Sequence, residues 1–101
     1  MDTAVSYFEA LLDKHPGYTQ AHFDLGKVYS QMGRRGEAFF HLGKYYYGKG
    51  DMQKATFQLK KALEFDQDPK QRKEVDALLA EIETASQEKS KEEKKKQRPR
   101  P

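Results

Sequence analysis

The sequence contains no cysteine, no tryptophan and no asparagine in its 101 residues. Because it has no thiol, a disulfide scaffold, a cysteine-ligated zinc site and a cysteine nucleophile are excluded. No apolar run approaches the roughly 18 residues of a membrane span, so no transmembrane helix is expected. The first residues show no basic segment followed by an apolar one, and we therefore expect no signal peptide.

The excess of positive over negative charge lies at the C-terminal end of the chain. The net charge is +3, and residues 86–101 alone hold seven basic and three acidic side chains. The chain before this end therefore lacks the basic excess that a nucleic-acid-binding face needs. Since residues 86–101 contain no apolar side chain, we predict one domain over residues 1–85 and then a disordered basic tail or a frayed helix extension. We interpret this tail as solubilising, with contact to anionic lipid or nucleic acid as the alternative.

Apolar side chains recur at spacings of three and four residues along the chain before this tail. Ala4, Phe8, Leu11 and Leu12 are one example. This spacing is typical of helices that bury one face, and no segment alternates with the period of a strand. The sequence therefore predicts an all-α domain of five helices, at roughly residues 3–14, 19–32, 36–48, 51–65 and 69–85.

Capping residues, glycine and proline set these helix boundaries. We expect Thr19, Asp51 and Asp68 to cap helices, because a short side-chain oxygen accepts a free N–H of the first turn. Gly33 suits a left-handed helix exit, and Gly48 with Gly50 closes the third helix. Each boundary thus has its own local signal.

A dipeptide occurs twice along the chain at a spacing that suggests a structural repeat. Leu-Gly stands at 25–26 and again at 42–43, and each copy is followed three residues later by a tyrosine. The offset between the copies corresponds to one helix and a short turn. Glycine inside a helix costs about 0.8–1.0 kcal/mol relative to alanine. We therefore expect Gly26 and Gly43 to lie where neighbouring helices come closest.

These spacings resemble the tetratricopeptide repeat, a helix pair of about 34 residues. Residues 22–29 resemble its first helix, with His22 at the aromatic position, and residues 39–46 resemble the same helix again, followed by Ala55, Leu59 and Ala62. The third helix fits both positions of a pair. The resemblance covers about residues 3–66 and implies a right-handed stack of antiparallel helix pairs, a solenoid that binds a protein or peptide partner.

A narrower resemblance links the chain to an accessory module. The Gly-Arg-Arg turn, residues 42–46, Gly50-Asp51 and the last helix around residues 75–82 are similar to the C-terminal repeat module of bacterial cell-envelope zinc metallopeptidases. Those enzymes carry a His-Glu-x-x-His helix in a separate domain, and this chain has no such motif. The resemblance implies a regulatory module in the cell envelope or periplasm. Without it, a cytoplasmic location is expected.

Little in the sequence points to catalysis. His15, His22 and His41 are not spaced four residues apart, as the two ligands of a metal-binding helix would be. His22 is at the aromatic packing position of the repeat, so we expect a core or semi-buried ring there, and we expect His41 to be exposed. The sequence contains no phosphate-binding loop and no catalytic triad pattern. We therefore expect no enzyme activity, no metal and no cofactor.

A partner-binding groove is the functional hypothesis that the resemblance supports best. The first helix of each repeat lines the concave face of the stack. By that rule the partner-binding residues are Gln20, Phe23, Lys27, Phe40, Lys44 and Tyr47. Their aromatic rings lie off the Leu-Gly-Tyr stripe, and together with the lysines they would suit an extended peptide with an apolar anchor and an acidic group. The alternative is that the rings pack against neighbouring helices or a catalytic domain outside this chain.

Overall fold

The computed structural model describes residues 2–65 and 68–96, with side chains for residues 3–65 and 68–88. Of the residues with described side chains 88% are helical, and the described part of the chain contains no strand, which confirms the all-α prediction. None of the described helices is long and apolar enough to cross a membrane. The helices are α1 Asp2–Lys14, α2 Thr19–Gln31, α3 Arg35–Lys49, α4 Met52–Phe65 and α5 Pro69–Lys96.

Backbone angles and capping hydrogen bonds confirm most of the predicted helix ends. Gly33 and Gly50 adopt left-handed φ angles of 76° and 82° at the exits of α2 and α3. The Asp51 carboxylate accepts the N–H of Lys54 at 3.1 Å, and the Asp68 carboxylate accepts the N–H of Lys70 at 3.0 Å. These contacts satisfy N–H groups that a helix leaves free in its first turn.

The predicted cap of α2 is wrong. The residue before this helix is Tyr18, and no side chain there makes a capping hydrogen bond. Thr19 is already helical, and its hydroxyl donates to the backbone oxygen of Gly17 at 3.3 Å. The Thr19 side chain also packs against Gly48, where an added Cβ would lie 2.7 Å from the Thr19 hydroxyl oxygen. Thr19 therefore serves the α2–α3 contact.

The last helix is longer than the sequence pattern indicates. α5 continues beyond residue 85 to Lys96, which agrees with the frayed helix extension, and the disordered basic tail stays a prediction. Glutamate, glutamine and lysine have good helix propensity, which allows a helix to continue without an apolar face. Residues 97–101 lie outside the described part, and the domain division at residue 85 stays a prediction.

Two apolar clusters hold the stack together, one on each side of α3. The first joins α1, α2 and α3 around Leu25, Tyr29 and Ala38. The second joins α3, α4 and α5, with Phe40, Leu59, Ala62 and Val75 as its buried members. α3 is therefore the central helix and contributes to both clusters.

Gly26 and Gly43 lie at close helix contacts, as predicted. An ideal Cβ built on Gly26 would be 2.9 Å from Cγ of Leu42. A Cβ built on Gly43 would be 2.5 Å from Cδ2 of Leu59. The same sequence offset relates Gly26 to Gly43 and Leu42 to Leu59. The packing of α2 on α3 is therefore repeated in the packing of α3 on α4.

Candidate partner-binding site

Phe40 belongs to the core, so its prediction as a partner-binding residue is wrong. Its side chain is 4% exposed and packs with Leu59, Ala62 and Val75. Val75 comes from α5, which covers this face of α3. The ring that lies off the Leu-Gly-Tyr stripe is therefore needed by the core after all, because it packs in the apolar cluster that α3 shares with α4 and α5.

Lys44 and Tyr47 are also engaged by α5. The Lys44 ammonium lies 2.9 Å from the Glu74 carboxylate, and the Tyr47 hydroxyl donates to Glu81 at 2.8 Å. The hydrogen bond to Glu81 is the main reason that the pKa of Tyr47 is raised. α5 thus supplies an apolar anchor and two carboxylates to this face, which is the chemistry that the sequence led us to expect of a partner.

The predicted site residues of α2 lie elsewhere. The Phe23 ring is 5.0 Å from the Tyr45 ring, and the Lys27 ammonium lies 5.0 Å above Phe23. Gln20 is exposed and donates to Asp24 at 3.5 Å. At about 100° per residue, Tyr45 is roughly 140° around α3 from Phe40. The six predicted residues therefore do not line one groove, because α2 and α3 are successive antiparallel helices.

An open cleft of about 320 Å³ lies between α1, α2 and α3. Its lining is mixed, with apolar, acidic, basic and imidazole groups. Sequence reasoning missed its acidic members, although two carboxylates spaced four residues apart on one helix were a readable signal. The lining residues are Glu9, Leu12, Asp13, Pro16, His22, His41 and Lys44.

Two histidines from successive helices face each other in this cleft. Nδ1 of His22 lies 3.1 Å from Nδ1 of His41, which is hydrogen-bond distance, and the ring of Tyr29 stacks on His41. His22 is 8% exposed, which confirms the expected buried ring. His41 is half-buried, so the expectation that it is exposed is wrong. The α2–α3 hairpin brings these rings together although they are far apart in the sequence.

Both histidines are neutral at pH 7. Burial, and then the charge of Lys44, lowers the pKa of His22 to about 4 against an opposing effect of Glu74. Burial, and then the charges of His22 and Lys44, lowers the pKa of His41 to about 3. A neutral imidazole has one N–H and one lone pair. The Nδ1–Nδ1 hydrogen bond therefore leaves one Nε2 as an acceptor and the other as a donor.

Glu9 is held in the cleft by a tyrosine. The Tyr29 hydroxyl donates to Oε1 of Glu9 at 3.1 Å, and burial together with this bond raises the pKa of Tyr29 to about 12. In the described part of the chain the ion pairs involve other carboxylates, so Glu9 and Asp13 have no basic partner there. No group of three or more His, Asp or Glu side chains within that part could hold a metal ion.

Comparison with known families identifies the central helix pair. The sequence model of the tetratricopeptide repeat family matches residues 36–69, which comprise α3 and α4. The chain carries a tetratricopeptide repeat. Neither curated proteins nor solved structures give a significant match to the chain.

The residues that match the family model show which helices form the tetratricopeptide repeat. α3 is the first helix of the pair and α4 is the second, and Gly43 against Leu59 is their close contact. Gly26, which precedes the matched residues, makes the equivalent contact with Leu42, and this explains why α3 fits both positions of a pair. Tetratricopeptide repeats generally mediate protein–protein interactions. The narrower resemblance to a metallopeptidase module stays a prediction, as does the compartment.

Proposed function

We propose that the chain is a protein-interaction module that holds an extended segment of a partner protein in the cleft between α1 and α3. The membership of α3 and α4 in the tetratricopeptide family supports the general role. The position of α5 supports this choice of site. This helix covers the face of α3 that carries Phe40 and Tyr47, and the cleft beside Lys44 remains open.

The cleft has the mixed character of a binding site. Leu12 and Pro16 provide apolar area, and the carboxylates and imidazoles provide hydrogen-bonding groups. Ligand sites usually combine an apolar lining with a few placed polar groups. Because α1, α2 and α3 all contribute, a segment lying here would contact three helices at once.

The acidic partner expected at Lys44 has less support than the module itself. A partner carboxylate at this lysine would compete with Glu74, which already lies 2.9 Å from the ammonium. The kind of side chain that a partner presents to the cleft must therefore be inferred from the other groups of its lining. The absence of enzyme activity stays a prediction.

A peptide selection with the full chain tests the proposed site. A phage-displayed library of random peptides would be panned on the purified protein, and the selected peptides would be titrated into 15N-labelled protein. We expect the largest amide shifts at residues 9–13 of α1 and around His41. Peptides that shift only the residues around Phe23 and Tyr45 would place the binding surface elsewhere and contradict the proposal.

A pair of adjacent substitutions provides the matched control. Asp13→Tyr puts a large ring into the cleft, whereas Lys14→Tyr puts the same ring on the neighbouring position of α1, which borders a different surface depression. Both residues are exposed, so helicity by circular dichroism should be unchanged. Binding should be lost in the first variant and kept in the second. Equal binding by both variants would reject the cleft.

A further inference from the structure

We propose that the cleft between α1 and α3 selects a cationic side chain, arginine in preference to lysine, on the bound segment. This inference rests on the proposed function and adds the chemistry of the partner. Its basis is the balance of charge around the cleft. Lys44 is the basic side chain of the lining, and Glu74 already offsets its charge. The carboxylates of Glu9 and Asp13 then remain without compensation.

The two carboxylates are available to a ligand. Tyr29 occupies one oxygen of Glu9, and a carboxylate has a second oxygen that can accept further hydrogen bonds. The bond to Tyr29 also fixes the position of Glu9, so a ligand need not order it. Asp13 is exposed one turn further along α1, and residues four apart lie on the same side of a helix.

The histidine pair reinforces this preference. His22 and His41 are neutral at pH 7, so they do not oppose a bound cation. One of their Nε2 atoms carries a lone pair, because their shared hydrogen bond uses the proton of the other nitrogen on that ring. The cleft therefore offers acceptors on two helices that a guanidinium can use.

The size and lining of the cleft favour one long side chain over a helix. Its volume of about 320 Å³ is at the small end of ligand sites, which span roughly 300–1,000 Å³. Leu12 and Pro16 suit a methylene stem, since arginine and lysine bury their stems and keep the charge near polar groups. A planar guanidinium also stacks on flat rings and binds carboxylates through two parallel hydrogen bonds, which an ammonium cannot do.

A neutral isostere of arginine gives the direct test. The full 15N-labelled chain would be titrated with acetyl-arginine amide and with acetyl-citrulline amide, which has nearly the same shape and no charge. The cleft-binding peptides from the selection would be compared in the same way, with each arginine replaced by citrulline. We expect the charged compounds to bind at least about tenfold more tightly, as a charge-assisted pair should.

Two double variants with the same change in net charge complete the test. The double variant Glu9→Gln with Asp13→Asn should bind the arginine and citrulline compounds equally. The double variant Glu83→Gln with Glu88→Gln on α5 should still bind the arginine compounds more tightly. The four positions are exposed, and glutamine at position 9 can still accept from Tyr29.

The outcomes separate the two proposals. Peptides that bind in the cleft with equal affinity for arginine and citrulline would overturn the inference and leave the proposed function standing. Loss of the preference in the α5 double variant would also overturn the inference, because it would show an effect of overall charge. The absence of any cleft-binding peptide would overturn both.

Discussion

The α2–α3 and α3–α4 interfaces share the same glycine–leucine contact but differ in the residues that surround it. Gly26 meets Leu42 on one side and Gly43 meets Leu59 on the other. On the second side Phe40 and Val75 close the space into an apolar cluster. On the first side an apolar cluster around Leu25 and Tyr29 also forms, but a cleft beside the histidine pair remains open. The residues around a repeated contact therefore decide whether it becomes closed core or accessible surface.

The largest expected effect comes from breaking the closed side. Phe40→Ala removes a buried ring from the cluster with Leu59, Ala62 and Val75 and should lower the free energy of unfolding by about 3–5 kcal/mol. Urea unfolding followed by circular dichroism measures this loss. Phe57→Ala is the matched control, because this ring is 57% exposed and its removal should change stability by at most about 0.5 kcal/mol. Similar losses in both variants would show that Phe40 is not core.

Replacing each of the two contact glycines with leucine compares how well the two sides of α3 tolerate a larger side chain. Gly43→Leu should lower the free energy of unfolding by about 1–3 kcal/mol, because Leu59 is fully buried and has little room to move. Gly26→Leu should cost less, since Leu42 is only half-buried and can turn towards solvent. Thermal melting of both variants measures the difference. A larger loss at Gly26 would reverse this ranking of the two sides.

Acid should weaken the open side through its histidines. The pKa values of His22 and His41 in the folded state are about 4 and 3, below the ordinary value of about 6.5. The unfolded chain therefore binds more protons below pH 6.5, and stability falls as pH decreases, by up to about 1.4 kcal/mol per pH unit for each proton. The fall should continue towards pH 4 and level off only below the folded pKa values.

Unfolding curves in urea at several pH values between 7 and 4.5 measure this dependence. His15→Gln, in the exposed turn after α1, serves as the control variant because it removes a histidine outside the cleft. A midpoint that stays constant over this range would show that the two buried rings can take up protons freely, in contradiction to their packing.

The smallest expected effect concerns the ion pair that borders both sides. Lys44 and Glu74 are partly exposed, and pairs of this kind contribute about 0.2–1 kcal/mol. A double-mutant cycle with Lys44→Gln and Glu74→Gln should give a coupling free energy in that range, and added salt should reduce it. A coupling of several kcal/mol would mean that this pair, and not the apolar cluster, holds α5 on α3.

The fold was largely predictable because its signals are local. Apolar spacing locates each helix, and Gly33, Gly50, Asp51 and Asp68 mark ends through bonds or angles within a few residues of themselves. The end of α5 was not predictable from an apolar pattern, since residues 86–96 have none.

The candidate site was harder to predict because its signals are not local. Phe40 is buried in a cluster with residues of α4 and with Val75 of α5, and nothing near Phe40 in the sequence indicates that α5 covers it. His22 and His41 meet across a hairpin, and their distance in the sequence gives no sign of the contact. Glu9 reaches the cleft because Tyr29 on another helix binds it.

The order of helix contacts has a consequence for how the chain folds. Within the described residues the main helix–helix contacts all join helices that are neighbours in sequence. Chains with mostly local contacts close short loops and fold within microseconds to milliseconds. Stability in such a stack is shared between neighbours, so a helix with neighbours on both sides opens least often. Backbone amides of α3 should therefore exchange hydrogen most slowly, and protection should decline towards α1 and α5.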